Sequence, residues 1–525
     1  VATLRRQCRL NILDRLPIRK HRLNGLDTGV SPVIEFCDWS QQLNRQPNGW
    51  LLIGEGPTFA EMNNVDLSQR TTVGLNHVFR HTPVDFAIVL DAETIDCCSA
   101  SDLKDVGTLL MPTEPYVHGR PGTITLDELV RVVPALQTLA DDGRVVGFDR
   151  SGLEACSSGF DKHRPALDER IACELLAKLG ATTLETLGCD ETADLHDDFR
   201  PFHESHSLVT DPQRQRKQRD HRRKHLANLS LTCTPLTQPF RVFINADESQ
   251  ELAASVLARQ IRDHATTTVA VTVLKNPPLP RVRNPQCWPR DPRALTRFFV
   301  PEMTGYQGQA LFVQADMLVR NDVSELAQLA MEDCQVAVLR RSDSAGWESS
   351  LQVINCERAD WKIEAIIREL DEGRYTSDEL IHNLALIQDS KDIAESIPSA
   401  WRPTSGKLSK DTRVHRFLDP KHQPWKQELG NCPTWDAALQ RAIATGDVSV
   451  DDVYDASEDG YINESLLDAF SEEQMELFRA RRRFPLPQRP QGNRLVVLTQ
   501  RAYAFAGRSA RNPAGAVRRL LHGSW

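Results

Sequence analysis

The chain has 525 residues, of which 40% are hydrophobic and 26% charged, and a formal net charge of -9 at pH 7. A chain of this length buries more than one core, its longest apolar runs, such as "RLVVLTQ", fall far short of a membrane span, and its acidic balance argues against general nucleic-acid binding. Twelve cysteines stand singly apart from Cys97–Cys98, without Cys-x-x-Cys spacing, which reads as thiols in a reducing compartment and, with an opening "VATLRRQCRLNILDRL" that has no uninterrupted apolar stretch, predicts a cytoplasmic protein.

Residues 1–49 read as an N-terminal extension. From Trp50 short apolar strands alternate with polar, helix-like stretches: "WLLIG", "TTVGLN", "DFAIVLD", "GTLLMP", "RVVGF" and "TTLETLGCD". Strands alternating with helices predict an α/β domain over 50–210 with a doubly wound parallel sheet, a Rossmann-like arrangement. Residues 211–239, "DPQRQRKQRDHRRKHLANLSLTCTPLTQP", read as a charged, proline-bounded linker. A second strand–helix series starts at "FRVFINADESQ" and occupies 240–450. Residues 451–525, acidic and then basic and proline-rich, are expected as a peripheral helical or partly disordered tail. Because each half restarts a series, the two are expected to fold independently.

Within the first series, "LLIGEGPTFAEM" puts Gly54 and Gly56 directly after a strand and Pro57 and Thr58 at a helix start, where glycine admits a close phosphate and first-turn amides donate to it. A tight turn without a ligand produces the same spelling. Asn76 and Asp91 end the next strands and Asp190 a later one, so all of them point to one crevice at the carboxyl edge of the sheet. These features, with Ser157–Ser158 before a helix and "LGA…LGCD", resemble the 6-hydroxymethylpterin diphosphokinase-like (DUF115) domains and the bacterial sialyltransferases. The resemblance implies a nucleotide on Gly54, Gly56, Pro57, Thr58, Asn76 and Ser157–Ser158. A sialyltransferase-like site also needs a general base, for which His203 and His206 stand in the right stretch; ordinary surface histidines would read the same way.

The second series carries "FRVFINADESQELAASVLARQIRDHA", "LTRFFVPEMTGYQGQALFVQADMLVRNDVSEL", "ESSLQVINC", "ESIPSAWR" and "VHRFLDPKHQPW" in order. These segments resemble the bacterial glycosyltransferases of the glycogenin-like family eight. The resemblance implies a GT-A type mixed sheet, a nucleotide-diphosphate sugar as donor, Mn2+ or Mg2+ as cofactor, and transfer with retention of configuration. It assigns Asn245, Ala246 and Asp247 to the base and ribose, Arg297, Lys421 and Trp425 to the donor, Glu348 and Gln352 to the transferred sugar and reacting centre, and Asp316 and His415 to the metal.

Where the family's first acid is expected, this chain has Gln314, a neutral carbonyl oxygen and amide donor in place of a charge. That predicts a weakened metal site, since Mn2+ and Mg2+ favour anionic oxygen ligands. The expected function is transfer of a sugar from a nucleotide-diphosphate donor to a surface-glycan or lipopolysaccharide-type acceptor, at the inner membrane face where the acceptor is a glycolipid, with a second nucleotide-using domain in the first half. Two rivals remain: a non-catalytic nucleotide-sugar or glycan-binding scaffold, and a first half that transfers pyrophosphate from ATP.

Overall fold

The computed structural model describes residues 33–483 apart from 44–48, 97, 118–123, 154–163, 204–207, 278, 281–282, 285–286, 290, 332, 342–345 and 406–411. Its first sheet is built from β1 (Ile34–Glu35), β2 (Trp50–Ile53), β3 (Thr71–Leu75), β4 (Val84–Ile88), β5 (Val106–Pro112), β6 (Val145–Phe148), β7 (Thr183–Leu187) and β8 (Thr232–Pro235). The strands lie in the order β1-β6-β5-β4-β3-β2-β7-β8, and every neighbouring pair is parallel. A parallel sheet is covered on both faces, which is why β2 and β6 are apolar without alternation. Leu51 and Ile53 enter one core with Leu129 and Leu136; Trp50 and Leu52 enter the other with Ile171 and Leu175. From β2 the chain builds out to one edge and then crosses back to place β7 on the other side of β2. The order therefore reverses between β2 and β7, and the loops that follow these strands lie side by side, where ligands of open parallel sheets bind.

The second half supplies β9 (Phe240–Ala246), β10 (Val269–Lys275), β11 (Gln309–Gln314), β12 (Met317–Val319), β13 (Val336–Ala337), β14 (Leu351–Asn355), β15 (Ile393–Ala394) and β16 (Val414–Arg416). Six of them form a mixed sheet in the order β10-β9-β11-β14-β13-β15, and β12 pairs with β16 in a short ribbon. The first three strands of the mixed sheet are parallel and β14 runs antiparallel to β11. The chain is thus α/β, with one large parallel sheet and one mixed sheet.

The parallel sheet takes β1 from before residue 50 and β8 from after residue 210. The charged stretch at 211–239 is a helix, Pro212–Asn228, and its arginines are engaged on both sides. Arg222 pairs with Glu169 and Glu191, while Arg219 donates to the carbonyls of Glu302 and Met303, each at 2.7 Å.

A buried charge cluster ties the two halves together. Asp194, beyond β7, accepts from Arg200 at 3.0 Å, from Arg262 at 2.7 Å and from the Val271 amide at 2.8 Å. Asp447 meets both guanidinium groups as well. All four side chains are buried, and burial together with the neighbouring Arg262 holds Arg200 down at about 9. The described residues up to Ala469 form one compact unit, and those from Phe470 belong to a second, which contains the helix Glu472–Arg483.

Candidate functional site

The mixed sheet puts its polar residues where the parallel strands end. Gln314 lies beside Asn245 in the β11–β9 register, and Phe312 lies beside Phe243 on one side and Gln352 on the other. Paired residues share a face, so Asn245, Gln314 and Gln352 stand on the same side of the sheet as Phe312. On that side a cavity of about 630 Å³ is lined by Arg293, Arg297, Gln314, Asp316, His382 and Arg416, among others.

Arg297 dominates this wall. It lies in the 3-10 helix Pro292–Phe299, is 1% exposed, and holds its guanidinium over the Phe312 ring, 5.4 Å from the centroid. Its Nε donates to the Ala294 carbonyl at 2.9 Å. Its Nη1 has no hydrogen-bond partner among the described residues. Burial lowers its pKa to about 10, partly offset by Glu348, which leaves it charged at neutral pH. Gln352 is 0% exposed, and among the described residues both its amide nitrogen and its amide oxygen lack partners, as does Oδ1 of Asn245. Buried polar groups are nearly always satisfied. Among the described residues, these atoms without partners lie on one sheet face beside the cavity.

The other expected residues divide. Gln314 Oε1 accepts from Asn245 Nδ2 at 2.8 Å. Asp247 caps the next turn through Ser249 and takes Arg293 at 2.7 Å. Ala246 is buried in the core, and Glu348 accepts from Ser350. Asp316 faces Arg416, whose Nε lies 3.1 and 3.2 Å from its two carboxylate oxygens; burial raises the Asp316 pKa and Arg416 opposes the rise. His415 pairs with Leu318 in the ribbon, its Nδ1 has no partner among the described residues, and it lines a neighbouring cavity of about 440 Å³. Among the described residues no third acid, histidine or cysteine joins Asp316 and His415 in one cluster. Lys421 is exposed, and Trp425 is buried against Phe417 and Trp435.

At the first sheet the glycine turn is closed by protein. Gly54 donates to the Leu187 carbonyl and Gly56 to that of Gly188, both at 2.8 Å. A Cβ on Gly54 would stand 2.5 Å from the Gly188 oxygen, and one on Gly56 would stand 2.6 Å from Asp190 Oδ2. These glycines let two loops pack backbone against backbone. The Thr58 amide and hydroxyl both donate to Asp190, at 2.8 and 2.6 Å, so a protein carboxylate takes the place at the helix start where a phosphate was expected. Burial raises the Asp190 pKa, and the Thr58 bonds oppose the rise. Pro57 is buried at the first position of that 3-10 helix. Asn76, at φ +47°, donates to Asp168 at 2.6 Å, and Asp91 bridges to Tyr116. Ser157, Ser158 and His206 lie outside the described residues.

Sequence reasoning missed Arg293, which precedes the quoted "LTRFFVP" segment, and Arg416, which stands inside "VHRFLDPKHQPW" next to His415 but was given no role there. It also missed Glu55 and His77, which with His203 bring three ligand atoms within 4.8 Å of one another. Glu55 was hidden between the two glycines that define the turn.

No protein-family model matches this chain. Among curated proteins it is similar to Protein CDI of Arabidopsis thaliana, with 30% identity over 99 residues, 18% of this chain and 37% of the relative's length. The chain thus spans little more than a third of that relative. Similar solved structures include the WbbM bifunctional glycosyltransferase (11% identity, TM-score 0.28, covering 44% of this chain and 59% of that one). The galactosyltransferase LgtC in complex with donor and acceptor sugar analogs is another (14%, 0.26, covering 39% and 95%). So is the glycosyltransferase GlyE of Streptococcus pneumoniae (14%, 0.29, covering 40% and 64%). Likenesses this remote determine no activity.

Proposed function

We propose that the cavity of the mixed sheet binds a nucleotide-diphosphate sugar and that the protein transfers the sugar to a glycan or glycolipid acceptor, with retention of configuration. The observation that carries this reading is Arg297: a buried guanidinium on a cavity wall, charged at neutral pH, whose Nη1 has no partner among the described residues. Such a group costs stability unless an anion completes it. The ordered motifs "INADES", "LTRFFVP", "ALFVQAD" and "VHRFLDPKHQPW" support the choice of anion.

As the bond between sugar and diphosphate breaks, negative charge grows on the leaving group, and fixed cations stabilise it because they need no reorganisation. Arg297 supplies one. Arg416 supplies another and is held in place by Asp316. Gln352 offers both a donor and an acceptor to sugar hydroxyls at the strand beside β11. Both Asp316 oxygens face Arg416, and the Gln314 oxygen accepts from Asn245. In this reading the cationic role is carried by guanidinium groups. It does not extend to a nucleotide at the glycine turn, whose Thr58 amide is held by Asp190. No helix among the described residues is long and apolar enough to cross a membrane.

The full chain incubated with a panel of nucleoside diphosphate sugars should release free sugar and nucleoside diphosphate from at least one of them. Tight binding without release from any would favour the non-catalytic scaffold and defeat the transferase reading.

A further inference from the structure

The cluster formed by Glu55, His77 and His203 lies apart from the mixed sheet, at the point where the strand order of the parallel sheet reverses. Glu55 follows β2, His77 follows β3, and His203 belongs to the segment after β7, so three separate segments deliver the three side chains to one end of the sheet. Glu55 Oε1 lies 3.0 Å from His77 Nδ1, and its Oε2 lies 2.9 Å from His203 Nε2. Two ligands of a tetrahedral zinc ion, each at about 2.0–2.1 Å from the metal, are separated by roughly 3.3 Å. One ligand atom from each residue lies within 4.8 Å of the other two, so small side-chain rotations bring the three to that separation.

The cluster is also held in position from behind. The His77 amide donates to Glu55 Oε1 at 3.0 Å, and the His196 amide donates to the Glu55 carbonyl at 2.9 Å. The His77 ring stacks on Phe202, with centroids 4.4 Å apart and planes 9° from parallel, and Phe202 immediately precedes His203. The Arg80 guanidinium in turn lies over the Phe202 ring, 5.0 Å from its centroid. Supporting contacts that fix ring orientation are what metal-binding histidines require. Glu55 and His77 are buried, while the His203 side chain is 29% exposed, which gives an ion a way in.

We propose that Glu55, His77 and His203 form a site for a divalent transition metal of the zinc class, with a fourth coordination position left for water or an anionic ligand. Two imidazoles and one carboxylate suit zinc or cobalt rather than magnesium or calcium, which take oxygen ligands. Three protein ligands and one open position are the arrangement of zinc sites that bind or activate a small ligand, whereas structural zinc sites are closed by four. The site is independent of the donor cavity in the mixed sheet.

The test uses the full chain, stripped with a chelator and then titrated separately with Zn2+ and with Co2+. The expected result is one tightly bound ion per chain by elemental analysis, and visible Co2+ absorption bands of tetrahedral intensity. His203→Ala, at the most exposed ligand, and Glu55→Gln, which keeps the side chain's volume, should each weaken binding by more than the roughly 10–100-fold that loss of a supporting partner costs. His203→Ala should keep the parental circular dichroism spectrum, which separates lost coordination from lost folding. A wild-type chain that takes up no ion, a Co2+ spectrum of octahedral intensity, or variants that bind as the parent does would each overturn the site and leave the three residues as a hydrogen-bonded triad.

Discussion

Arg297→Met is expected to abolish donor turnover while making the fold more stable. Met keeps the apolar stem that packs over Phe312 and removes a buried charge whose Nη1 has no partner among the described residues. Replacing a buried ion that has no directly bonded counter-ion among the described residues by an apolar side chain of similar length should stabilise by about 1 kcal/mol, even after loss of the bond to Ala294. Loss of a preorganised cation facing the leaving group should lower turnover by about 100-fold or more. Denaturation midpoints and initial rates measured on the same preparation give both numbers. A variant that loses stability and activity together would make Arg297 a structural residue, and one that keeps its activity would remove it from the site. Opposed signs are the signature of a residue kept for function.

The second large effect concerns the charge cluster between the halves. Asp194→Ala leaves the buried Arg200 and Arg262 to share Asp447, with the half-exposed Asp197 beside Arg200, and strips the Val271 amide of its acceptor. Breaking a buried ion network from one side should cost about 3–5 kcal/mol, read as a lower urea midpoint for the full chain. Asp198→Ala is the control, because that carboxylate is half exposed, with histidines at 3.6 and 3.7 Å, and its loss should cost well under 1 kcal/mol. Equal losses in the two variants would contradict a special role for the cluster. The cluster also bears on the expected independence of the halves: a cut after residue 211 would divide it into two separate pairs, Asp194–Arg200 and Arg262–Asp447, and break the contacts between them.

The strands were legible because burial on two faces forces apolar runs. "WLLI" and "VVGF" can hardly be anything else in a chain where helical periodicity resumes after each. The end of β11 was legible too, since a polar "QAD" follows directly on "ALFV", and the structure does place Gln314 and Asp316 on a cavity wall with Arg297. What could not be read is what these groups touch. Asp316 meets Arg416, 100 residues away, and Glu55 meets His203, 148 residues away; no spacing rule spans such separations. The glycine turn shows the limit in another form. Gly54 and Gly56 are there because backbone must pass close by, as the spelling suggests, but the close neighbour is the loop after β7 rather than a phosphate. Asp190, at the edge of the same crevice, is turned onto Thr58. A sequence states that room is needed and leaves open what fills it.

The most direct test of the donor site is a crystal structure of the full chain soaked with a nucleoside diphosphate sugar that it turns over, or with the matching nucleoside diphosphate. The diphosphate should lie in the cavity of the mixed sheet with an oxygen about 3 Å from Arg297 Nη1, and Gln352 should gain a partner on its amide. A nucleotide bound at the turn Gly54–Thr58, with the Arg297 cavity empty, would contradict the assignment.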